Sequence, residues 1–315
     1  MTVVLALLEL VLLLIMPSAA LGEQSTKRFV PGDVVNPTAF YPEGPQLMPD
    51  GLLVSEMAKD RIVLLKDHAP PEVKWEVKGC GPTSIKHIPS GGYWILCHLG
   101  YVVVRVDENF ETVKTFQYSS SGKRITWPND AWLDSKGNIY LSSSGPYSLD
   151  AAPQGRVVYI SVDNGVPQDL VTGIRYSNGV LVQEAKGRVL VSEMLNRRVL
   201  AYPLLGPGKL GPARLFFDFK DAPPVPDSYE LSGPDGMAAF KDGDILVADY
   251  GNGRVLLISD QGKFLQQIPV QYRFVDNMAI TPDQNSVYFL MTENNLSADL
   301  HGMVQRFAVQ STKSK

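Results

Sequence analysis

The sequence predicts an all-β fold, a six-bladed β-propeller with a metal site at the centre of its channel. Three observations predict it: a motif repeated in register, a turn-and-strand signal recurring at a spacing that suits propeller blades, and short polar segments at one place in each repeat.

Val54-Ser55-Glu56-Met57, followed by Arg61-Ile62-Val63, is echoed by Val191-Ser192-Glu193-Met194 with Arg198-Val199-Leu200, and by Val247-Ala248-Asp249-Tyr250 with Arg254-Val255-Leu256. In each copy seven positions separate the first Val from the Arg, so the three share one register. A turn precedes each copy, at Pro49-Asp50-Gly51, Lys186-Gly187 and Asp242-Gly243; the same signal occurs at Ser90-Gly91-Gly92, Ser135-Lys136-Gly137 and Asp283-Gln284-Asn285. From Gly51 through Gly92, Gly137, Gly187 and Gly243 to Asn285 the steps are 41, 45, 50, 56 and 42 residues, room for about four strands per unit. No stretch beyond the first residues has helical periodicity. A four-stranded unit cannot bury both faces alone, so the units stack radially. The strand around Lys27–Val35 has no module of its own and is expected to complete the last blade and close the ring.

With 315 residues, 44% hydrophobic and 20% charged, the chain can bury a sizeable core and is not disordered. A net charge of −4 with scattered Lys and Arg offers no basic field for phosphates, which argues against nucleic acid as a partner. Residues 1–22 read as a signal peptide, with an apolar run at Val3–Met16 and small residues at Ser18, Ala19 and Ala20 for cleavage. Residues 23–315 then form a single domain, secreted or periplasmic. Glu9 inside the run and the lack of Lys or Arg before it keep a membrane anchor as the alternative, though the run is short for a span. Cys80 and Cys97 would pair in an oxidising compartment if the fold brings them together; two unlinked buried thiols is the other reading. Asn295-Leu296-Ser297 is a glycosylation sequon, of consequence only in a eukaryote.

In a propeller the innermost strand of each blade begins at the channel mouth, and six such starts converge on the axis. They read Tyr41-Pro42-Glu43-Gly44-Pro45, Gly79-Cys80-Gly81-Pro82-Thr83, Trp127-Pro128-Asn129-Asp130, Tyr176-Ser177-Asn178-Gly179, Gly233-Pro234-Asp235-Gly236 and Val275-Asp276-Asn277-Met278. Four equivalent positions thus present Glu43, Asn129, Asn178 and Asp235. Hard oxygen donors without Cys or His select calcium, less readily magnesium or manganese, with zinc the poorest fit. Two carboxylates neutralise a divalent ion; without one they repel and one pKa rises. Asn-Gly, Asn-Asp and Asp-Gly are ordinary turn dipeptides taken singly. Their recurrence at one place in four repeats argues for a site.

Glu43-Gly44-Pro45, Pro128-Asn129-Asp130, Ser177-Asn178-Gly179 and Pro234-Asp235-Gly236-Met237 resemble the signatures of the regucalcin (senescence marker protein)/gluconolactonase family, which is similar to diisopropyl fluorophosphatase and more distantly to the paraoxonases. The resemblance covers nearly the whole mature chain. It implies a metal-dependent hydrolase of lactones and related esters, with Glu43, Asn178 and Asp235 as metal ligands and Asn129 as a fourth ligand or a substrate contact. The animal regucalcin branch has an Arg, thought to hold sugar hydroxyls, where this chain has Trp127. An indole cannot make a guanidinium's paired hydrogen bonds, so a flatter or more apolar substrate than a sugar lactone is expected against Trp127.

In such a site calcium polarises the carbonyl and helps to generate the nucleophile from water, and Asp235 acts as general base or attacks directly. His301, in the loop Leu296–Gly302, is a candidate to orient substrate or relay a proton, with an idle exposed His as the equal alternative; His98 lies at the same mouth with a weaker case. Glu56, Glu193 and Asp249 are expected to hold backbone amides or Arg61, Arg198 and Arg254, and Trp94, Tyr140 and Tyr288 to pack between blades. The loops Ser142–Gly155 and Phe219–Leu231 should shape the pocket entrance. The absence of Gly-x-Ser-x-Gly, His-Glu-x-x-His, phosphate-loop and dinucleotide motifs argues against serine hydrolase, zinc protease and nucleotide-cofactor chemistry. The expected partner is a small lactone or ester. The rival expectation is a non-catalytic propeller, braced by the ion, that binds a protein or small ligand through its top loops. Oligomeric state is not legible.

Overall fold

Runs of five to seven Val-, Ile-, Leu- and Tyr-rich residues, bounded by Gly, Asp and Ser turns, set up short strands that each need a partner on both edges. In the computed structural model, which describes residues 26–163, 165–296 and 299–312, these strands form six antiparallel sheets, the blades of a propeller. The first blade runs outward from the channel as Pro42–Met48, Gly51–Glu56, Arg61–Leu65 and Glu72–Glu76. The innermost strands of the second to sixth blades are Pro82–His87, Pro128–Leu133, Ser177–Gln183, Gly233–Ala239 and Phe274–Ile280. Each innermost strand packs on the next and the sixth on the first, which closes a ring around the channel. Among the described residues the only helices are 3-10 turns of three residues. Residues 1–25, where the signal peptide is expected, lie outside the described residues.

The ring closes as expected. The outermost strand of the sixth blade is Thr26–Phe40, which pairs with His301–Thr312, Phe29 opposite Val309 and Phe40 opposite His301. Lys27 fastens this strand to the fifth blade, its Nζ lying 2.5 Å from Asp242 and 2.6 Å from Asp244. The uneven steps also have a cause. The third blade carries the long top loop after Ser143, and the fourth adds the two-residue strand Lys209–Leu210 and the segment between Asp218 and Gly233.

The core is divided among the six gaps between neighbouring blades. Val255, Leu257 and Ile268 of the fifth blade meet Val287, Phe289 and Phe307 of the sixth, and Leu52, Val54 and Val63 of the first meet Leu290 and Val304 of the sixth. Trp94 and Tyr140 fill such gaps, and Tyr288 packs against one, as their positions in the strands suggested. The repeated motif is an ion pair on neighbouring strands whose acidic partner is buried in all three copies. Arg61 donates to Glu56 at 2.6 Å, Arg198 to Glu193 at 2.5 Å and Arg254 to Asp249 at 2.7 Å.

Cys80 and Cys97 are joined by a disulfide between the segment leading into the innermost strand of the second blade and the end of the strand beside it. Their sequence separation is 17, and a cross-link closing so short a loop contributes about 3 kcal/mol by restricting the unfolded chain. Cys80→Ala with Cys97→Ala should therefore lower the urea midpoint by the equivalent of about 2–3 kcal/mol, and reductant should do the same to the native chain. A midpoint insensitive to both would show that the bond restrains nothing.

Candidate metal centre

One backbone device recurs where the innermost strands begin. Two residues before the ligand position the chain turns left-handed, at Tyr41 (φ 51°), Gly81 (φ 52°), Trp127 (φ 46°) and Tyr176 (φ 59°). For an aromatic residue this conformation is strained by about 1–2 kcal/mol. The surrounding bonds hold it: the carbonyl of each turned residue accepts from the first residue after the second strand of its blade, Met57 to Tyr41 at 3.2 Å, His98 to Gly81 at 3.0 Å, Ser144 to Trp127 at 3.0 Å and Met194 to Tyr176 at 3.1 Å. Directly beyond it the pairing register slips in all six innermost strands, between Glu43 and Gln46, Pro82 and Ser84, Pro128 and Ala131, Ser177 and Val180, Pro234 and Met237, and Val275 and Asn277. Such a slip re-aims a side chain out of the sheet pattern. Here it accompanies four side chains, Glu43, Asn129, Asn178 and Asp235, that line one cavity.

The Asn-Gly and Asp-Gly pairs are accordingly strand residues rather than turns. A Cβ on Gly179 would lie 2.2 Å from the Asp235 carbonyl oxygen, and one on Gly236 would lie 2.4 Å from the Asn277 side chain. Glycine beside the ligand lets the next innermost strand approach closely enough for the ligands to meet.

Glu43, Asn129, Asn178 and Asp235 are 4%, 5%, 2% and 3% exposed and line one cavity of about 80 Å³ at the channel mouth. Each presents an oxygen with no hydrogen-bond partner: Glu43 Oε2, Asn129 Oδ1, Asn178 Oδ1 and Asp235 Oδ1. The Asn178 amide nitrogen is turned toward Met194 Sδ at 3.3 Å, which points its oxygen the other way. The set extends to a residue that the sequence reading passed over. Asp276, at the matching position of the sixth blade, offers an oxygen that lies with oxygens of Glu43 and Asp235 within 4.8 Å of one another. Its Oδ2 accepts from the Thr292 hydroxyl at 2.8 Å and its Oδ1 has no partner. The second blade contributes Thr83, whose hydroxyl is committed to the Asn129 carbonyl oxygen at 2.7 Å.

Orphaned buried oxygens are costly, and a hard cation that takes six to eight oxygen ligands satisfies several of them at once. The residues present therefore fit calcium. The electrostatics agree. Burial, then repulsion from Asp235, Asp276 and Asp130, holds the Glu43 carboxyl well above the usual carboxylate range. Burial, then Asp276 and Asp130, does the same to Asp235, and burial alone raises Asp276 against the opposing Thr292 hydrogen bond. Farther along the channel a second cavity of about 300 Å³ is lined by Lys86, Asp130, Trp132 and Asn277 among others. Burial lowers the Lys86 pKa although Asp130 and Glu43 oppose the change.

A roof of aromatic side chains covers the small cavity. Tyr41, Tyr147, Tyr176, Tyr250 and Met194 line it. The Tyr41 and Tyr250 hydroxyls are 2.9 Å apart, Asn295 donates to Tyr250 at 3.1 Å, and Tyr147 donates to the Leu231 carbonyl at 2.9 Å. That last bond links the two long top loops, so both loops named as shaping the entrance do meet above the site.

Other candidates are placed elsewhere. The Trp127 indole packs edge-on against Tyr101, ring centroids 5.1 Å apart, and is not on the cavity wall. His301 opens the strand His301–Thr312 rather than sitting in a loop; it is exposed, rests against Phe40 and lines a separate groove of about 610 Å³. Phe274 of that groove touches Tyr250 of the roof, centroids 5.0 Å apart. His98 donates from Nδ1 to the Pro128 carbonyl at 3.2 Å, and burial pushes its pKa down to about 4, so it is neutral at neutral pH. Asn295 of the sequon is committed to the roof.

Comparison with known proteins agrees with this architecture. Diisopropyl-fluorophosphatase of Loligo vulgaris is 24% identical over 208 residues, which are 62% of this chain and 63% of that protein. The lactonase drp35 of Staphylococcus haemolyticus is 29% identical over 143 residues, 44% of this chain and 41% of the relative. The chain thus matches less than two thirds of the length of either. Among solved structures, a gluconolactonase of Xanthomonas campestris superposes with a TM-score of 0.71 at 16% identity, covering 90% of this chain and 98% of that one. A calcium-binding protein, regucalcin, of Agrobacterium tumefaciens gives 0.70 at 16% identity, covering 91% and 96%. The family model for the SMP-30/Gluconolactonase/LRE-like region matches residues 41–293, from the turn before Glu43 to the last blade, and the chain belongs to that family.

Proposed function

We propose that the protein is a secreted or periplasmic metal-dependent hydrolase of lactones or related esters. The observation that carries this reading is the convergence of partnerless buried oxygens, from matching positions of four blades, on one small cavity, with an oxygen of Asp276 from a fifth blade within 4.8 Å of those of Glu43 and Asp235. Relatives named diisopropyl-fluorophosphatase, lactonase and gluconolactonase support hydrolytic chemistry, and the disulfide and the apolar leader support export. Calcium is the ion we assign, with magnesium, manganese and zinc as poorer fits to an all-oxygen donor set. Bound there, it would supply Lewis acidity at a carbonyl oxygen and a charge that favours ionised water.

The chain's own groups do the rest. Glu43, Asn178 and Asp235 hold the ion, and Asn129 completes the shell or meets the substrate. Asp235, with one bare carboxylate oxygen, either takes the proton of an attacking water or attacks the carbonyl carbon itself, displacing the alkoxide to leave an acyl-aspartate that water then cleaves. The aromatic roof keeps bulk water off the reacting carbonyl. It also restricts access: a cavity of about 80 Å³ admits a carbonyl end and little more, so the Tyr147 link must open for a larger ester.

That enclosure is what a second reading has in its favour. A non-catalytic propeller would use the ion only to brace the channel and would bind a protein or small ligand through its top loops. Hydrolysis of a panel of lactones, aryl esters and organophosphates, with calcium and after chelation, separates the two. Activity should vanish on chelation and return with calcium, and Asp235→Asn should cut kcat/KM by about 1,000-fold or more. Ion binding with no turnover on the panel would leave the second reading standing.

A further inference from the structure

The six axial positions are not chemically equal around the ring. In blade order they are Glu43, Thr83, Asn129, Asn178, Asp235 and Asp276. The carboxylates belong to the fifth, sixth and first blades, three neighbours on one side, and the amides and the committed Thr83 hydroxyl occupy the other. Asp276 is fully buried, one of its oxygens is held by Thr292 and the other is bare, and its carboxyl offers an oxygen within 4.8 Å of oxygens of Glu43 and Asp235. A buried carboxyl grouped with two others is only partly compensated by Thr292, whose hydroxyl offsets part of its desolvation. A shared cation supplies the missing partner, and donor oxygens around a calcium ion at 2.3–2.6 Å lie at such mutual separations.

We propose that Asp276 is a direct ion ligand, so that the centre is a three-carboxylate site that suits a high-charge, oxygen-seeking cation. It holds a divalent ion with one negative charge in excess and is neutralised by a trivalent one. Thr292 is then a positioning residue, fixing the carboxylate through its second oxygen. The inference rests on the metal reading of the site and assigns it a residue and a charge that Glu43, Asn129, Asn178 and Asp235 do not supply alone.

The test is ion affinity, not turnover. Calcium binding is measured by calorimetry and terbium binding by tyrosine-sensitised luminescence, for which Tyr41, Tyr176 and Tyr250 on the cavity wall are the antennae. Asp276→Asn should weaken calcium binding by about 10- to 100-fold and terbium binding by more, because affinity in such sites follows ligand charge. In chelator the same variant should melt no lower than the native chain, since it removes one of three buried carboxyls crowded together. Thr292→Val, which keeps the carboxylate, should weaken calcium several-fold. If Asp276 merely accepts the Thr292 hydroxyl, Asp276→Asn would lower the metal-free melting temperature and leave both affinities unchanged, and the proposal is wrong. If Glu43→Gln and Asp235→Asn weaken binding and Asp276→Asn does not, only the third ligand is lost. If none of the three changes affinity, the metal reading falls with it.

Discussion

In chelator the protein should become less stable as pH rises from about 5 to 8, and calcium should remove that loss. Glu43, Asp235 and Asp276 have their folded pKa values raised by burial; Glu43 is raised also by Asp235, Asp276 and Asp130, and Asp235 by Asp276 and Asp130. In the unfolded chain carboxyls titrate near 4. Between the unfolded and the raised folded values the native state keeps protons that the unfolded state has released, so unfolding becomes easier as pH climbs. The contribution is complete below about pH 4 and is lost as pH passes upward through the raised values, at up to about 1.4 kcal/mol per pH unit for each proton retained. A bound cation replaces those protons. Calcium at about a hundred times its Kd adds about 2.7 kcal/mol, and its Kd tightens as the carboxyls ionise. The melting temperature with calcium minus that in chelator, measured across this range, isolates the effect from other titrations. It should widen steadily with pH; a constant or narrowing difference would mean that these carboxyls are not what the ion meets.

The repeated ion pair yields the other large effect, because its three copies differ in burial. At Asp249 and Arg254 the side chains are 0% and 6% exposed, whereas at Glu193 and Arg198 they are 4% and 42% exposed. Asp249→Ala strands a buried guanidinium whose remaining partners are the Pro223 carbonyl at 2.7 Å and Gln267 at 2.8 Å, and removing one partner of a buried pair costs about 3–5 kcal/mol. Arg198→Ala takes away a charge that water already reaches and leaves Glu193 bonded to the Arg175 amide at 2.9 Å and to Asn196 at 2.8 Å. That change should cost about 1 kcal/mol. Urea titration of the two variants compares them directly. Equal losses would show that position in the repeat, not burial, sets the strength of the pair.

The propeller was legible because its signals are local and repeated. Alternating apolar residues, Gly turns at blade spacing and the shared Glu-to-Arg interval each follow from contacts inside one blade. The candidate ligands stood out for a related reason: Glu43, Asn129, Asn178 and Asp235 occupy one slot of a repeat, so their agreement outweighed the turn reading of each dipeptide. Asp276 occupies the same slot and was missed because Val275 and Asn277 flank it, without the Pro, Ser or Gly that marks the others. The roof was beyond reach. Tyr147, Met194 and Tyr250 come from loops or strand ends of three different blades and meet only after the ring closes. The left-handed turns at Tyr41, Trp127 and Tyr176 carry none of the Gly or Asn that announces such a backbone.

The sixth blade joins the earliest described strand, Thr26–Phe40, to the latest, His301–Thr312. During synthesis the first of these emerges with no mate, and it must wait until nearly the whole chain has followed. An unpaired β edge held that long invites association with other chains. The strand is built to be a poor template meanwhile. It carries Pro31 and Pro37, which cannot donate to a ladder, and its pairing with the late strand is broken by three register shifts. Assembly is therefore completed by the last strand delivered, and a translation arrest just before residue 301 would leave the sixth blade with its two inner strands and neither outer pair formed.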